Sequence, residues 1–257
     1  MEPVTPFERV GHETIADIVV EQIEAMIVDG ILKEGRKLPS ERELSEQMGV
    51  SRPKLREALQ RLEDRNLLVV RHGEGTFVAP LAGRAMSPAL LSLYARHGEA
   101  FYDYLEYRTE QEAFASRLAA ERATAADKER IAEIIDDMKD CWAKGDHEAE
   151  RDADFRLHAA IVDASHNITL IHMMASIFDL TRQGLFYNRD LLRSIDGSGK
   201  ALLDQHERIA TAIIDGDPER AEKAARDHMD FVEQSIRKGR ERQRRELSAR
   251  KRKQLAL

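Results

Sequence analysis

The stretch from Leu38 to Val78 constrains the fold most, because helix starts, a glycine turn and a hairpin signal follow one another with few residues between them. Ser40 precedes Glu43 by three positions. At that spacing a hydroxyl accepts from the third helical amide while the carboxylate reaches back to the cap. The helix so started is short and ends at Met48-Gly49, and Gly49-Val50-Ser51 forms a tight turn. Ser51 is expected to N-cap a second helix, where Pro53 is tolerated because first-turn amides have no partner within the helix. Leu55, Ala58, Leu59 and Leu62 recur at i, i+3, i+4 and i+7 and make a buried stripe. Leu67 to Arg71 then reads as a strand, His72-Gly73-Glu74-Gly75 as a turn, and Thr76-Phe77-Val78 as the returning strand. Upstream, Ile15, Ile18, Val19, Ile23, Met26 and Ile27 mark one side of a helix that Asp29-Gly30 ends. Three helices followed by a β-hairpin make a winged helix-turn-helix, over roughly Thr14 to Pro80.

The remaining chain shows no strand-like alternation. Helical patterns fall near 88–97, 101–122, 127–143, 148–165, 168–190, 200–215 and 218–240. The expected fold is therefore mainly α: a winged helix-turn-helix over 1–80, a linker over 81–88, and an all-α antiparallel bundle over 89–240. A basic tail follows over 241–257. The single cysteine, Cys141, cannot form an internal disulfide, which points to a reducing cytoplasm. No apolar run approaches a membrane span, so no membrane partner is expected. Glu2, Glu8 and Glu13 do not make a signal peptide.

Net charge is −7, which argues against bulk attraction to nucleic acid. Even residues 1–80 hold 11 Lys and Arg against 15 Asp and Glu. Between Arg52 and Arg71, however, six basic residues face three acidic ones. DNA reading must therefore use a local face. In a helix-turn-helix the start of the second helix enters the major groove, where arginine can donate twice to guanine. Arg52 and Arg56 occupy that end, one turn apart. Arg42, in the preceding helix, can reach phosphate or base, and the His72-Gly73 wing tip can approach the minor groove. A homodimer would set two such helices about one DNA turn apart, over an inverted repeat of double-stranded operator DNA.

The motifs Leu38-Pro39-Ser40-Glu41-Arg42-Glu43-Leu44, Val50-Ser51-Arg52, Leu55-Arg56-Glu57-Ala58-Leu59 and Gly75-Thr76-Phe77-Val78 resemble the N-terminal domain of the GntR family. The helical remainder, with Tyr104-Leu105-Glu106-Tyr107-Arg108, is similar to the FadR subgroup, and to its members that govern pyruvate dehydrogenase, lactate and glycolate genes. The resemblance implies DNA contacts at Arg42, Arg52, Arg56, His72 and Gly73. Two positions that often hold small hydroxyl residues in fatty-acid-responsive members are Pro53 and Lys54 here. Lys54 then offers a phosphate contact, and the operator preference is expected to differ.

In the helical part, Asp154 and His158 stand one turn apart on an apolar face. His206 and His228 also lie within apolar stripes. Such groups are costly to bury singly, and a lone one reads as a satisfied core histidine. Together they form an N3O set suited to zinc, with nickel or manganese as alternatives. The resemblance implies the same four ligands. Arg108 lies on the inward stripe of its helix. It is read either as an ion pair with Glu112 or as the grip for a small carboxylate effector such as pyruvate, lactate or glycolate. The expected function is a ligand-responsive repressor of a carbon-metabolism operon, without enzymatic activity. The alternative is a metal-dependent enzyme with a DNA-targeting domain, for which Glu207 beside His206 would be the base. No His-Glu-x-x-His motif supports it, and adjacent helical residues point about 100° apart. A further rival is an architectural DNA binder that uses the basic tail, which otherwise reads as a solvated helical extension.

Overall fold

The computed structural model describes residues 14–81, 98–182 and 198–255 of the chain. Two compact units divide it, Met1–Gly83 and Arg84–Leu257. The first holds α1 (Ile15–Val28), α2 (Glu41–Met48), α3 (Arg52–Asp64), β1 (Leu68–Arg71) and β2 (Gly75–Val78). The strands form an antiparallel hairpin with Leu68 opposite Val78 and Arg71 opposite Gly75.

Capping fixes the ends of these helices. Ser40 accepts from the Glu43 amide, and the Glu43 carboxylate accepts from the Ser40 amide at 2.9 Å. Gly49 closes α2 in the left-handed region, at φ +63°, where a side chain would be strained. Ser51 occupies the N-cap of α3 but makes no cap bond through its hydroxyl. Pro53 at the second helical position removes one of the two amides that a cap hydroxyl reaches. The expected stripe of Leu55, Ala58, Leu59 and Leu62 is buried. On α1 the stripe is rotated from expectation. Ala16, Val19, Val20, Ile23 and Ile27 are buried, while Ile15 and Ile18 are about half exposed. At 100° per residue, both lie beyond the edge of the face that meets α3. The segment before α2 also borders the wing, which the sequence pattern did not indicate. The Leu38 amide donates to the Thr76 carbonyl at 2.9 Å, and the Val78 amide to the Arg36 carbonyl at 3.0 Å.

The second unit is helical among the described residues: α4 (Gly98–Arg122), α5 (Ala125–Lys144), α6 (His147–Ala164), α7 (Ile168–Arg182), α8 (Ser198–Asp215) and α9 (Pro218–Leu255). Helix α9 lies along α4, α5 packs on α6, and α8 meets α4, α5 and α9. Their shared core includes Leu105, Ile131, Leu157, Met174, Ile213 and Met229. The expected helix near 88–97, the linker beyond Leu81 and the end of the 168–190 pattern lie outside the described residues. Helix α9 does not stop near 240 but runs on to Leu255. Its last turns are mostly Arg, Lys, Gln and Glu, good helix formers, with Glu241–Arg245 and Arg242–Glu246 pairs at one-turn spacing. No helix among the described residues is long and apolar enough to cross a membrane.

Helix α5, like α1 and α2, starts at a capping box. The Asp127 carboxylate accepts from the Thr124 amide at 2.9 Å and faces His166 Nε2 at 2.9 Å. Burial opposes its ionisation, but the Thr124 bonds and His166 outweigh that and hold the carboxyl below its ordinary 3.8. A lowered carboxyl contributes stability above its ordinary value and loses it as pH falls through the folded one. Asp127→Ala should therefore cost about 1 kcal/mol at neutral pH in urea unfolding. That gap should shrink as the pH is taken below about 4. An undiminished gap at low pH would show that the charge does not matter there.

Candidate DNA-reading face and buried metal centre

All six residues expected at the DNA are exposed. Arg52 opens α3, and Arg56 follows one turn later. Lys54 stands between them, and Arg42 lies in the first turn of α2. His72 and Gly73 form the wing tip, where Gly73 has φ +77°, a conformation that suits glycine. Three of the cations are held by carboxylates of the same unit. Arg56 donates through Nε and Nη2 to Glu41 at 3.3 and 2.6 Å. Lys54 reaches Glu57 at 2.8 Å, and Arg42 is 3.8 Å from Glu46. The Arg56 hydrogen bond holds the Glu41 carboxyl below the usual range despite some burial. The acidic balance of the unit thus lies partly on the reading face itself, as ion pairs that aim its cations.

In the helical unit, His158 on α6, His206 on α8 and His228 on α9 converge. One ring nitrogen from each lies within 4.8 Å of the others, and all three side chains are buried. Zinc–imidazole bonds are about 2.1 Å, so the three nitrogens would draw closer together around one shared ion. The outer contacts suit that role. His158 Nδ1 donates to Glu112 Oε2 at 2.7 Å, and His228 Nδ1 to Gln205 Oε1 at 3.0 Å. Each bond fixes a tautomer and leaves Nε2 as the ligating atom. Burial, with His206 and His158 beside it, pushes His228 well below the ordinary imidazole value, so it is neutral and able to ligate. Asp154 Oδ1 approaches His206 Nε2 at 3.4 Å but is not part of the mutually close trio. Asp154 therefore sits at the edge of the centre.

Arg108 on α4 is buried, and its Nε donates to Glu112 Oε1. Its guanidinium also lies 5.7 Å from the Phe178 ring. Burial alone would raise the Glu112 carboxyl, but Arg108, and then His158, overcome this and hold it at about 2. Arg108, Glu112 and His158 thus form one chain of contacts into the histidine cluster. A narrow gap lined by Glu112, Ser116, His158, Ile209 and Ala225 adjoins it. Gln205 and Glu150 were not anticipated. Glu150 is buried, at the i, i+4, i+8 spacing with Asp154 and His158 on one face of α6. That spacing could have revealed it. Gln205, adjacent to His206, had no periodic signal. Glu207, the base of the enzyme alternative, pairs with Lys139 at 3.2 Å.

A winged helix-turn-helix unit followed by a helical unit is the arrangement of a DNA-binding transcription regulator. Residues 15–78 match the bacterial regulatory proteins of the gntR family, and residues 103–231 match the FCD domain. The chain is 34% identical over 228 residues to the "Putative L-lactate dehydrogenase operon regulatory protein" of Escherichia coli (strain K12), with 87% of each protein covered. It is also 34% identical over 228 residues to the Glc operon transcriptional activator of the same strain, covering 86% of this chain and 89% of that protein. Streptococcus agalactiae GntR has a similar structure, with a TM-score of 0.52 and 26% identity, covering 86% of this chain and 100% of that one. The chain belongs to the gntR family of regulators and carries an FCD domain. It is a DNA-binding transcription regulator and not an enzyme.

The Glu41–Arg56 pair generates a test of the reading face. Glu41→Gln should strengthen binding to a random-sequence duplex by a few fold, because Arg56 no longer exchanges a carboxylate for phosphate. A gel-shift titration reads this. Unchanged or weaker binding would mean that Glu41 positions Arg56 productively instead.

Proposed function

We propose that the chain is a homodimeric, cytoplasmic repressor of a carbon-metabolism operon, released from an inverted-repeat operator by a small carboxylate at a metal-centred pocket. The observation that carries this reading is the convergence of His158, His206 and His228 beside the Arg108–Glu112 pair. Three imidazole nitrogens with carboxylate Asp154 at their edge suit a borderline divalent ion, zinc first, with nickel or manganese as alternatives. Once bound, such an ion offers coordination positions to an incoming carboxylate. Arg108 adds a buried guanidinium able to grip the same anion. An effector carboxylate there competes with Glu112, which also holds His158. The ligand and the metal centre are therefore chemically linked. The L-lactate relative named above supports lactate among the candidates, with pyruvate and glycolate beside it.

Chelator-stripped protein titrated calorimetrically with zinc, nickel and manganese should bind at least one of them, and His206→Ala should weaken that binding about 100-fold or more. Equal binding by both proteins would move the metal elsewhere. Operator affinity should fall when pyruvate, lactate or glycolate is added, and Arg108→Ala should abolish the response. Identical affinity with all three removes them as effectors.

On the DNA side we assign base reading to Arg52 and Arg56, with Arg42, Lys54, His72 and Gly73 supporting them at phosphates and the minor groove. Arg52→Ala should weaken binding to the DNA upstream of the protein's own gene by about ten-fold or more, and binding to random DNA far less. Equal losses on both would reduce Arg52 to a phosphate contact.

A further inference from the structure

Beyond Arg240, α9 leaves the helical core. Residues 241–254 are all exposed, yet the helix continues to Leu255. Packing of α9 on α4 ends where Arg237 and Arg240 stack over Tyr102 and Phe101, at 3.6 and 4.5 Å from the ring centres. From Arg240 to Lys253 the helix carries eight Arg and Lys against Glu241 and Glu246, in a chain of net charge −7. Both acids sit in one-turn ion pairs, with Arg245 and Arg242. None follows them, so Arg250, Lys251, Arg252 and Lys253 crowd four like charges into about one turn.

The segment has no apolar face. Leu247 is its only large hydrophobic residue before Leu255 and is about half exposed, and the cations lie all round the axis. Such a helix cannot bury a stripe against a core, zip with another helix or lie in a bilayer interface. The helix dipole favours cations near its end but does not account for eight of them. Those eight occupy about 20 Å of axis. That density is comparable to duplex DNA, with about one phosphate per 1.7 Å. The match to the FCD domain ends at residue 231, before this segment. The winged unit, by contrast, is acidic overall, with 11 cations against 15 anions over residues 1–80.

We propose that the end of α9, from Arg240 to Lys253, is a phosphate-binding arm that gives the regulator sequence-independent affinity for duplex DNA. The proposal rests on the reading of the chain as an operator binder and adds a second contact to it. The arm supplies the general attraction that the acidic winged unit lacks, while Arg52 and Arg56 supply the choice of site.

The test uses full-length protein carrying Arg250→Gln, Lys251→Gln, Arg252→Gln and Lys253→Gln together. All four positions are exposed, and glutamine is as good a helix former as lysine, so the fold is retained and circular dichroism checks it. Binding to a random-sequence duplex and to the DNA upstream of the protein's own gene is measured across a salt series. Each lost phosphate contact should flatten the slope of log affinity against log salt by about 0.9. Two or more lost contacts should weaken binding roughly ten-fold or more on both duplexes, leaving their ratio unchanged. Equal slopes for the two proteins overturn the proposal. So does a loss confined to the upstream DNA, which would make the arm a sequence reader. Equal slopes with altered self-association in sedimentation assign the helix to a second copy and overturn it as well. If the unaltered protein shows no preference for the upstream DNA, the operator reading fails while the slope comparison on random DNA still decides the arm.

Discussion

The helical unit depends on how its buried charges are reconciled with an apolar core. Arg108, Glu112, Asp154, His158, His206 and His228 are each 5% exposed or less, and they come from α4, α6, α8 and α9. An isolated buried charge is prohibitively costly, and removing one partner of a buried pair typically costs about 3–5 kcal/mol. These helices therefore have to sit where Glu112 meets both Arg108 and His158, and where Gln205 meets His228. Apolar packing alone would tolerate several arrangements of these helices; the polar contacts tolerate far fewer. A group that disturbs this cluster acts on four helices at once, which is the property a sensor needs.

In the winged unit the same electrostatics operates at the surface, where it is weaker. Glu41, Glu46 and Glu57 each neutralise a cation on the reading face, and Arg61 ties Asp17 of α1 to Glu57 of α3 at 2.6 and 2.5 Å. Exposed pairs of this kind contribute little to stability. Their effect is on binding, since a phosphate contact by Arg42, Lys54 or Arg56 first displaces a carboxylate. A face whose cations are already paired gains less from arbitrary DNA and depends more on well-aimed base contacts. The acidity of residues 1–80 is thus consistent with selective DNA reading.

Much of this was legible in the residue pattern where local chemistry decides. The Ser40–Glu43 box, the Gly49 turn, the leucine stripe of α3 and the hairpin all depend on neighbours within a few positions, and the structure has each of them. The convergence of the three histidines was also readable, because each interrupts an apolar stripe. What escaped depends on contacts between distant segments. The pairing of Leu38 with Thr76 is a backbone contact with no side-chain signature. Gln205 serves His228 from 23 positions away, and its own neighbours in sequence give no hint of it. The burial of Val20 in place of Ile18 depends on which face of α1 meets α3, which periodicity alone does not fix. For Arg108 the residue pattern left two roles open. The structure has the ion pair with Glu112, and the effector role then becomes a matter of competition with it.

The two arginines at the centre of the proposed function share one design, a carboxylate of the same chain already bonded to each. Glu41 holds Arg56 in water, and Glu112 holds Arg108 in the core. The difference in burial decides what exchange means at each place. At the surface the displaced Glu41 is rehydrated at once, so the exchange is nearly balanced and adjusts DNA affinity by small factors. In the core a displaced Glu112 cannot reach water unless something moves. Its ionised state, held at about 2 by Arg108 and His158, would then rest on His158 alone. On the proposed function, an incoming carboxylate that takes Arg108 would therefore leave Glu112 short of a partner and favour a shift of the helices. On that proposal, burial is what would turn an ordinary ion exchange into a conformational signal.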